Sequence, residues 1–576
     1  MVAVNKIAIL KERLKDGKVV KQPWNTMYQL VGEYVMTRKQ NFLVNNMPGE
    51  FLTEQLFSSA GPEANSTMAS SLLGQLWPNG ARSFRIKRPR NIPDSKEVKK
   101  YYEDITGVLV DAMDHPEGNL APSLMEYMED QGAFGISGIG VTRTDDPFQP
   151  LKFKAHNVKN MVIDENEDGV VDTIFIEDEM SVRNLVSKYG EENVSAKVKE
   201  KFNKGQYTEK IKFVQVIEPR REGRGSFGNK GLPIASIHFE WDTNKILRES
   251  GFVQMPIIVS RFAKAMGEIY GRSPAMKALP AILRLNVLWE ILMRGLEKNM
   301  NPPLYLLDNG ALGSGVVDTS AGALNVFHTT GLGEKSPIGA IFDIKDIKSG
   351  FELANVFTND ITKAFLIDRL MDLNNETRMT LGEAQIRNRL RGEGLSSVFK
   401  RQETELFSRL IKSSFNNLLE MGLVGVIAGT GQERELLNQG IAPIYIPQVV
   451  AEAIRRGQKV YDIQYISPAH RIMRTEELQG LTMTVDMALG MAAGGIPSTL
   501  DVLDADRIIR DIADLALASE EILNDSETIT KIRELQAQQA QQANQMAQAQ
   551  VAADVNMKTS QAQSMREGAL SGRPSG

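Results

Sequence analysis

Cysteine is absent from the 576 residues of this sequence. Without it there can be no disulfide bond, no thiolate metal site and no cysteine nucleophile, so folding must depend on packing alone. Histidine is scarce, with 5 residues. The five are scattered and lack the close spacing of metal ligands: His115, His156, His238, His328 and His470. The sequence therefore predicts no metal site and no cofactor.

Long apolar runs and a strong excess of one charge are missing as well. The longest apolar runs fall far below the roughly 18 residues that span a bilayer, and the N-terminal segment lacks the features of an export signal. We expect a soluble protein with no membrane partner. The net charge of -5, with both signs interspersed, argues against tight binding of nucleic acid through phosphate neutralisation. It remains compatible with a channel through which a polyanion slides.

The motifs that would indicate an enzyme are absent or incomplete. No GxSxG nucleophile turn occurs. The segment GLGEKS at 331–336 has Glu334 where a Walker phosphate loop requires glycine. The segment DENEDG at 164–169 fits the first half of an EF-hand loop, but Phe175 occupies the position of the bidentate carboxylate. We interpret DENEDG as a polar hairpin turn, and we predict no catalytic residue and no enzymatic activity.

The first half of the chain combines helical segments with a β-rich region. Helical patterns cover residues 24–42 and a longer stretch at 97–131. From about residue 135 to 256, short alternating runs are separated by turn residues. This change of period predicts strands there.

The second half predicts two long helices around a small insert. Ser273 is suited to cap the first helix, and Pro274 fits its first turn. Apolar residues then recur at spacings of four and three, which is typical of helices that pack side by side. A glycine-rich insert with two or three strand-like runs follows at 302–342, and a second helix extends from about 346 to 371.

The remainder is mostly helical. The polar loop 372–379 leads into a third long helix that we expect to reach about residue 422. Short strands are expected near 444 and at 460–466. The Gln/Ala-rich tail has helical propensity but little apolar stripe, so a solvated helix, a bundle formed only in an oligomer and a disordered tail all fit it.

Several segments resemble one family of phage proteins. They include WNTMYQLVGEYVMTRKQNF from Trp24, MPIIVSRFAKAMGEIYGRSPAMKALPAI from Met255, ETRMTLGEAQIRNR from Glu376 and YISPAHRIMRTEEL from Tyr465. In this order they resemble the portal (head-to-tail connector) proteins of podovirus-like, short-tailed bacteriophages, and the segment YGRSP is the strongest point of the likeness. The resemblance implies an α+β, predominantly helical phage portal fold of wing, stem, clip and crown that assembles into a ring.

The resemblance also implies how the chain is divided. The expected regions are an N-terminal wing (1–272), a first stem helix (273–301), a clip (302–342), a second stem helix (343–371), a channel loop (372–379), a long wing helix with strands (380–465), a crown-like helical region (466–535) and the Gln/Ala-rich tail (536–576).

The same division implies which residues meet DNA. In the channel loop, Asn374, Asn375 and Arg378 are expected to touch it transiently. Three lysines near or on the second stem helix are candidates for the channel lumen, although a solvated helix face is favoured for them: Lys345, Lys348 and Lys363.

The implied function is that of a passive conduit. A portal ring, typically of twelve subunits, lies at one capsid vertex and passes double-stranded DNA during packaging and ejection. Expected partners are copies of the same chain, the major capsid and scaffolding proteins, the terminase large subunit that supplies the ATPase, tail adaptor proteins and the DNA. The expected location is the portal vertex of the virion, after synthesis in the host bacterial cytoplasm.

Two other hypotheses stay open. The chain could be a different virion structural protein, such as a coat or tail-tube protein, which would occur in many copies or in filaments. It is less favoured as a metal-dependent nucleic-acid-processing enzyme, because the sequence offers no convergent carboxylate cluster.

Overall fold

The computed structural model describes residues 2–44, 47, 49–50, 52–78, 80, 82–220, 231–308, 317–328, 338–341, 347–371, 394–427, 429–494, 502–516, 523–524 and 526–570. The chain divides into two compact units. The first contains Met1–Phe84, Gly107–Pro443 and Tyr465–Glu476, and the second contains Arg85–Thr106, Ile444–Gln464 and Glu477–Gly576.

Helices account for most of the regular structure in the described residues. They are α1 (Val2–Tyr34), α2 (Ala60–Leu76), α3 (Lys96–Met113), α4 (Leu120–Phe134), α5 (Val182–Tyr189), α6 (Ala196–Asn203), α7 (Pro274–Met300), α8 (Lys348–Ala364), α9 (Ile367–Leu370), a π-helical turn (Glu403–Phe407), α10 (Ser408–Glu420), α11 (Gly431–Asn438), α12 (Gln448–Arg455), α13 (Pro468–Ala493), α14 (Ala505–Leu515) and α15 (Ser526–Leu570). None of the helices in these residues is long and apolar enough to cross a membrane.

In the residues that the structure describes, the strands form four small sheets. They are β1 (Phe84–Lys87), β2 (Ile136–Arg143), β3 (Leu151–His156), β4 (Met161–Glu165), β5 (Val171–Ser181), β6 (Lys210–Pro219), β7 (Ile234–Glu240), β8 (Ile246–Phe252), β9 (Ile257–Arg261), β10 (Leu304–Asp308), β11 (Leu324–His328), β12 (Ile338–Ala340) and β13 (Asp462–Tyr465). The sheet orders are β4-β5-β6-β7-β8, β3-β2-β9, β11-β10-β12 and β1-β13. The mixed helix and strand content agrees with the predicted α+β class.

Helix α1 covers one face of the five-stranded sheet. Its buried side chains Ile7, Leu10 and Leu14 recur at spacings of three and four and pack on apolar residues of the sheet. The same stripe continues to Lys21, whose side chain is buried. The predicted helix start at residue 24 is therefore wrong. A stripe that contains a lysine is recognised as buried only when the sheet on which it packs is known. Pro23 lies inside the helix.

Helices α5 and α6 pack on the opposite face of that sheet. Val182, Leu185 and Val198 are buried against strand residues such as Phe213 and Leu247. The β-rich region was predicted correctly, but these two short helices inside it were missed. Their starts follow local rules, since Ser195 caps α6 by accepting a hydrogen bond from Val198 N.

Helix α4 packs beside the three-stranded sheet. The expected single helix at 97–131 is in fact two helices, α3 and α4, because Pro116 begins a short 3-10 turn and Asn119 adopts a left-handed conformation with φ of 59°. Tyr127 Oη and Gln131 Nε2 each lie 2.6 Å from Ser260 Oγ in β9. Tyr127 and Gln131 thus link α4 to the sheet.

The insert after α7 contains the small sheet β11-β10-β12, as its strand-like runs predicted. β10 pairs with β11 in parallel, with Leu304 opposite Leu324. β12 is antiparallel to β10. Leu324 and Ile338 are exposed on this sheet.

In the second unit, side chains from separate segments converge on α14. Asp514 Oδ1 accepts hydrogen bonds from Lys87 Nζ at 2.5 Å and from Gln464 Nε2 at 2.7 Å. Asp504 caps α14 by accepting a hydrogen bond from Arg507 N at 3.2 Å. The long helix α15 exposes its described side chains from Lys531 onwards.

Candidate functional site: the α7–α8 helix pair and the loop base

Contacts of the segment YGRSP before α7 explain why Tyr270, Gly271 and Ser273 stand at their positions. Tyr270 is buried, with its ring centroid 5.9 Å from that of Trp24. A Cβ on Gly271 would lie 2.1 Å from Gly135 O, so this backbone crossing requires glycine. Ser273 caps α7 by accepting from Met276 N at 3.0 Å, and its Oγ donates to Ala133 O at 2.7 Å. The predicted cap is confirmed, and YGRSP fixes where and in which direction α7 starts.

Helices α7 and α8 pack against each other. Trp289 and Phe351 meet edge to face at 5.8 Å. Gly350 allows close approach, since a Cβ there would lie 2.5 Å from Leu292 Cδ2. Ala354 and Ile361 of α8 are buried, and their spacing of seven residues puts them on one face of the helix.

The outer faces of this pair carry exposed apolar side chains. Val287 and Ile291 of α7 are 52% and 61% exposed, and Leu353 and Val356 of α8 are 45% and 52% exposed. Side chains of this size at helical spacing form an apolar surface, which we call the outer stripe. A surface of this kind favours contact with another protein surface.

The end of α8 forms the base of a loop. Leu366 adopts a left-handed conformation with φ of 59° between α8 and α9, and the turn is held by the buried side chains of Phe365 and Leu370. Gln75 Nε2 of α2 donates to Leu370 O at 2.9 Å. Arg369 Nη1 donates to Gly394 O at 3.4 Å, so residues on either side of 372–393 lie together. We call Leu366–Leu370 with Gly394 the loop base.

The helix that follows the loop base is anchored through a π-helical turn. Phe407 of this turn stacks on Trp77 at 5.5 Å and 7°. Glu405 Oε2 accepts from the backbone N of Arg261 at 3.0 Å, and Arg261, whose side chain is only 3% exposed, also donates to Glu165 Oε2 at 2.7 Å. This charged cluster ties the post-loop helix to β9 and to the β4–β5 hairpin.

The segment DENEDG forms the turn of that hairpin. Asn166 Oδ1 accepts from Asp168 N at 3.1 Å and from Val170 N at 2.9 Å, and Gly169 has φ of 72°. Burial alone would raise the pKa of Glu165, but hydrogen bonds from Lys264 and Arg261 outweigh it and lower that pKa. The hairpin interpretation is confirmed. In the part of the chain that the structure describes, no group of three His, Cys, Asp or Glu side chains is placed to hold a metal ion.

Of the residues predicted to meet DNA, only two are described. Lys348 and Lys363 lie at opposite ends of α8 and are exposed. Asn374, Asn375, Arg378 and Lys345 lie outside the described residues.

Sequence reasoning missed the groups that hold the loop base and those that anchor the helix after it. Arg261, Glu405 and Arg369 act through contacts between distant segments, and no local motif marks such contacts. The one available signal was Arg261 itself, a single cation directly after the apolar run IIVS, where a buried charge must find a partner.

Comparisons with known proteins agree with this architecture. Residues 8–523 match the family described as "Bacteriophage head to tail connecting protein". A protein named "Probable portal protein" from Bordetella phage BPP-1 is 23% identical over 98% of this chain and 97% of its own length. The "Portal protein" of Salmonella phage epsilon15 is 24% identical over 94% of this chain and 93% of its own length.

These matches place the chain in a class, the structural proteins of the phage virion. Portal proteins are components of the virion and are not enzymes. The chain belongs to the bacteriophage head to tail connecting protein family and has the phage portal function.

Proposed function

We propose that the chain forms a closed ring, typically of twelve subunits, around a channel for double-stranded DNA at one vertex of the capsid. In this proposal residues 273–301 and 343–371 are stem helices, 302–342 are the clip and 372–379 are the channel loop. The wing is formed by 1–272 and 380–465, and residues 466–535 form a crown followed by the Gln/Ala-rich tail.

The outer stripe carries this proposal. In a ring, each subunit contacts two neighbours through two different surfaces. Helices α7 and α8 pack against each other through one face. On other faces they leave four apolar side chains exposed, so apolar surface is available for both neighbours: Val287, Ile291, Leu353 and Val356. Because each of these side chains is already about half buried in the subunit, burying the rest of it between subunits would contribute about 1 kcal/mol each.

The loop base supports a role for the residues between its two sides. Because Arg369 and Gly394 are in contact, a loop between them would project from one fixed point in every subunit. Asn374, Asn375 and Arg378 would then form a ring of polar groups that touches DNA transiently. Lys345, Lys348 and Lys363 would add cations near the lumen.

The small sheet of β10, β11 and β12 supports docking at the clip. Leu324 and Ile338 are 60% and 53% exposed on it, which favours contact with other proteins. We infer that the terminase large subunit binds here during packaging and that tail adaptor proteins bind afterwards. Major capsid and scaffolding proteins would surround the wing as the virion assembles in the host cytoplasm.

Electron microscopy of the purified chain tests the ring directly. We expect top views with cyclic symmetry and a central hole, and native mass spectrometry should give the subunit number. Filaments, sheets or particles without a hole would contradict the proposal and favour another virion structural protein.

Variants test whether the outer stripe forms the subunit contact. Ile291→Glu and Val356→Glu should each abolish rings while leaving the monomer folded, because a carboxylate would be buried at the contact without a partner. Val19→Glu is the matched control, since Val19 is 67% exposed on α1, and it should assemble normally. Rings formed by both stripe variants would show that the stripe is not the contact.

A deletion tests the channel loop separately. Removing Asn374 to Glu376 should leave ring assembly intact but impair DNA packaging or genome retention in the phage. Failure of the deletion variant to form rings would make this loop an assembly element instead.

A further inference from the structure

A cleft of about 490 Å³ lies within the first unit, between the five-stranded sheet, the β2–β3 hairpin and α10. Its size falls in the range of small-ligand sites, roughly 300–1,000 Å³. A Cβ on Gly140 of β2 would lie 2.8 Å from His156 Nε2 of β3. Glycine at this position therefore leaves room for the histidine in the wall of the cleft.

The sheet face that lines the cleft carries a row of polar side chains beside apolar ones such as Ile176 and Phe213. Gln215, His238 and Arg248 are direct partners across β6, β7 and β8, so they form a row on one face. The two nitrogens of His238 are engaged by Tyr189 Oη at 2.8 Å and Ser236 Oγ at 3.3 Å. The hydrogen bonds of His238 hold this part of the face in a fixed geometry.

Three cations from separate elements line the part of the cleft around His238. Lys154 comes from β3, Lys188 from α5 and Arg248 from β8. Desolvation lowers the pKa of Lys188, and the charges of Lys154 and Arg248 lower it further while Asp178 opposes them. Burial lowers the pKa of His238 to about 3, with Lys188 and Arg248 adding to the effect. The positive charges therefore act on one another across the cleft.

Carboxylates offset the charge of this cluster only in part. The charged residues of the lining are Arg143, Lys154, Lys188 and Arg248 against Asp145, Asp178 and Glu420. Arg143 is already paired with Glu420 at 2.9 Å. Within the described residues, Lys154, Lys188 and Arg248 have no carboxylate within 4.0 Å, whereas other cations near this sheet do, such as Lys6 and Arg13. Like charges brought together around one cleft by separate elements favour a bound anion.

We propose that this cleft binds a small multivalent phosphate anion, such as a polyphosphate. Its oxygens would accept hydrogen bonds from Lys188 and Arg248 on the sheet side and from Lys154 on the hairpin side, with the neutral His156 as a further donor. The site is distinct from the channel elements, and its occupancy would join the β2–β3 hairpin to the five-stranded sheet. The proposal does not depend on ring formation.

The test uses the full chain and inorganic tripolyphosphate, with calorimetry at low salt. We expect one site per chain. Lys188→Met and Arg248→Met should each weaken binding by about tenfold or more, since each removes a charge-assisted hydrogen bond. Lys197→Met is the matched control, because Lys197 is exposed on neighbouring α6 but does not line the cleft, and its binding should equal that of the wild type.

Hydrogen exchange of the wild-type protein gives a measurement that needs no variant. Tripolyphosphate should slow exchange in β3, α5 and β8 but not in the solvent-exposed α15. Three results would overturn the proposal: no binding by the wild type, equal weakening by Lys197→Met, or binding of a short DNA duplex that depends on Lys188 and Arg248 while tripolyphosphate does not bind.

Discussion

Replacing Arg261 with methionine is expected to loosen the anchor of the helix that follows the loop base. The Arg261 guanidinium donates to Glu165 at 2.7 Å, to Gly169 O at 2.8 Å and to Glu405 at 3.4 Å, with its side chain only 3% exposed. Methionine has a similar length but can make none of these contacts. The substitution therefore leaves two carboxylates and a carbonyl without their shared partner.

The size of the effect follows from the partners that remain. Breaking a buried ion pair from one side costs about 3–5 kcal/mol. Glu165 keeps Lys264 at 2.7 Å and Glu405 keeps Arg401 at 3.2 Å, so neither carboxylate is left fully unpaired. We expect a loss of about 2–3 kcal/mol in local stability, which is below the cost of leaving a carboxylate fully unpaired.

Hydrogen exchange is the suitable assay, because it measures the opening free energy of single segments in a chain of two units. Exchange in β9 and α10 should speed up in Arg261→Met, and Glu405→Gln should show a coupling of about 1–2 kcal/mol with it in a double-mutant cycle. The control Arg143→Met breaks the exposed pair with Glu420, 44% and 45% exposed, and should change stability by less than about 1 kcal/mol.

Two results would refute this reasoning. Additivity of Arg261→Met and Glu405→Gln within about 0.5 kcal/mol would show that the two side chains do not stabilise each other. Faster exchange throughout the second unit, with none in β9 or α10, would show that the cluster does not anchor the post-loop helix.

Three further predictions concern the frame around this anchor. Gly271→Ala should destabilise the first unit by about 1–3 kcal/mol in thermal unfolding, whereas Gly107→Ala, with nothing within 4 Å of its Cβ, should not. Trp77→Leu should cost about 1 kcal/mol through its lost stacking on Phe407, seen as faster exchange in the π-helical turn. Burial lowers the pKa of Lys21 from 10.5 to about 7, so between those pH values the unfolded chain holds more protons. Stability relative to Lys21→Met should then rise with pH by up to roughly 1.4 kcal/mol per unit, and a difference that stays flat from pH 7 to 9 would contradict this.

The features that could be predicted from sequence are those with local causes. Ser273 and Pro274 mark the start of α7 because capping and the fixed φ of proline depend only on adjacent residues. The hairpin at 164–169 was predictable for the same reason. In contrast, the first part of α1 was missed because its buried stripe includes Lys21. Lys21 Nζ donates hydrogen bonds to the carbonyl oxygens of Val158, Lys159 and Met161 at 2.6–2.9 Å. That position looks solvated until the docking partner is known.

The groups of the candidate site that escaped prediction depend on contacts between distant segments. Arg261 and Glu405 are 144 residues apart, and neither position belongs to a local motif. Arg369 is similarly separated from Gly394 by 25 residues. Periodicity and capping rules report on neighbours along the chain, so they cannot show which distant charge neutralises another.

The contact between Arg369 and Gly394 has a consequence for how this protein can change over evolution. Since both flanks of 372–393 are held by groups outside that segment, its length can vary without moving the helices on either side. Each doubling in the length of a flexible connection adds only about 0.6 kcal/mol of closure entropy. We therefore expect that sequences of other lengths grafted between residues 371 and 394 leave the rest of the subunit folded.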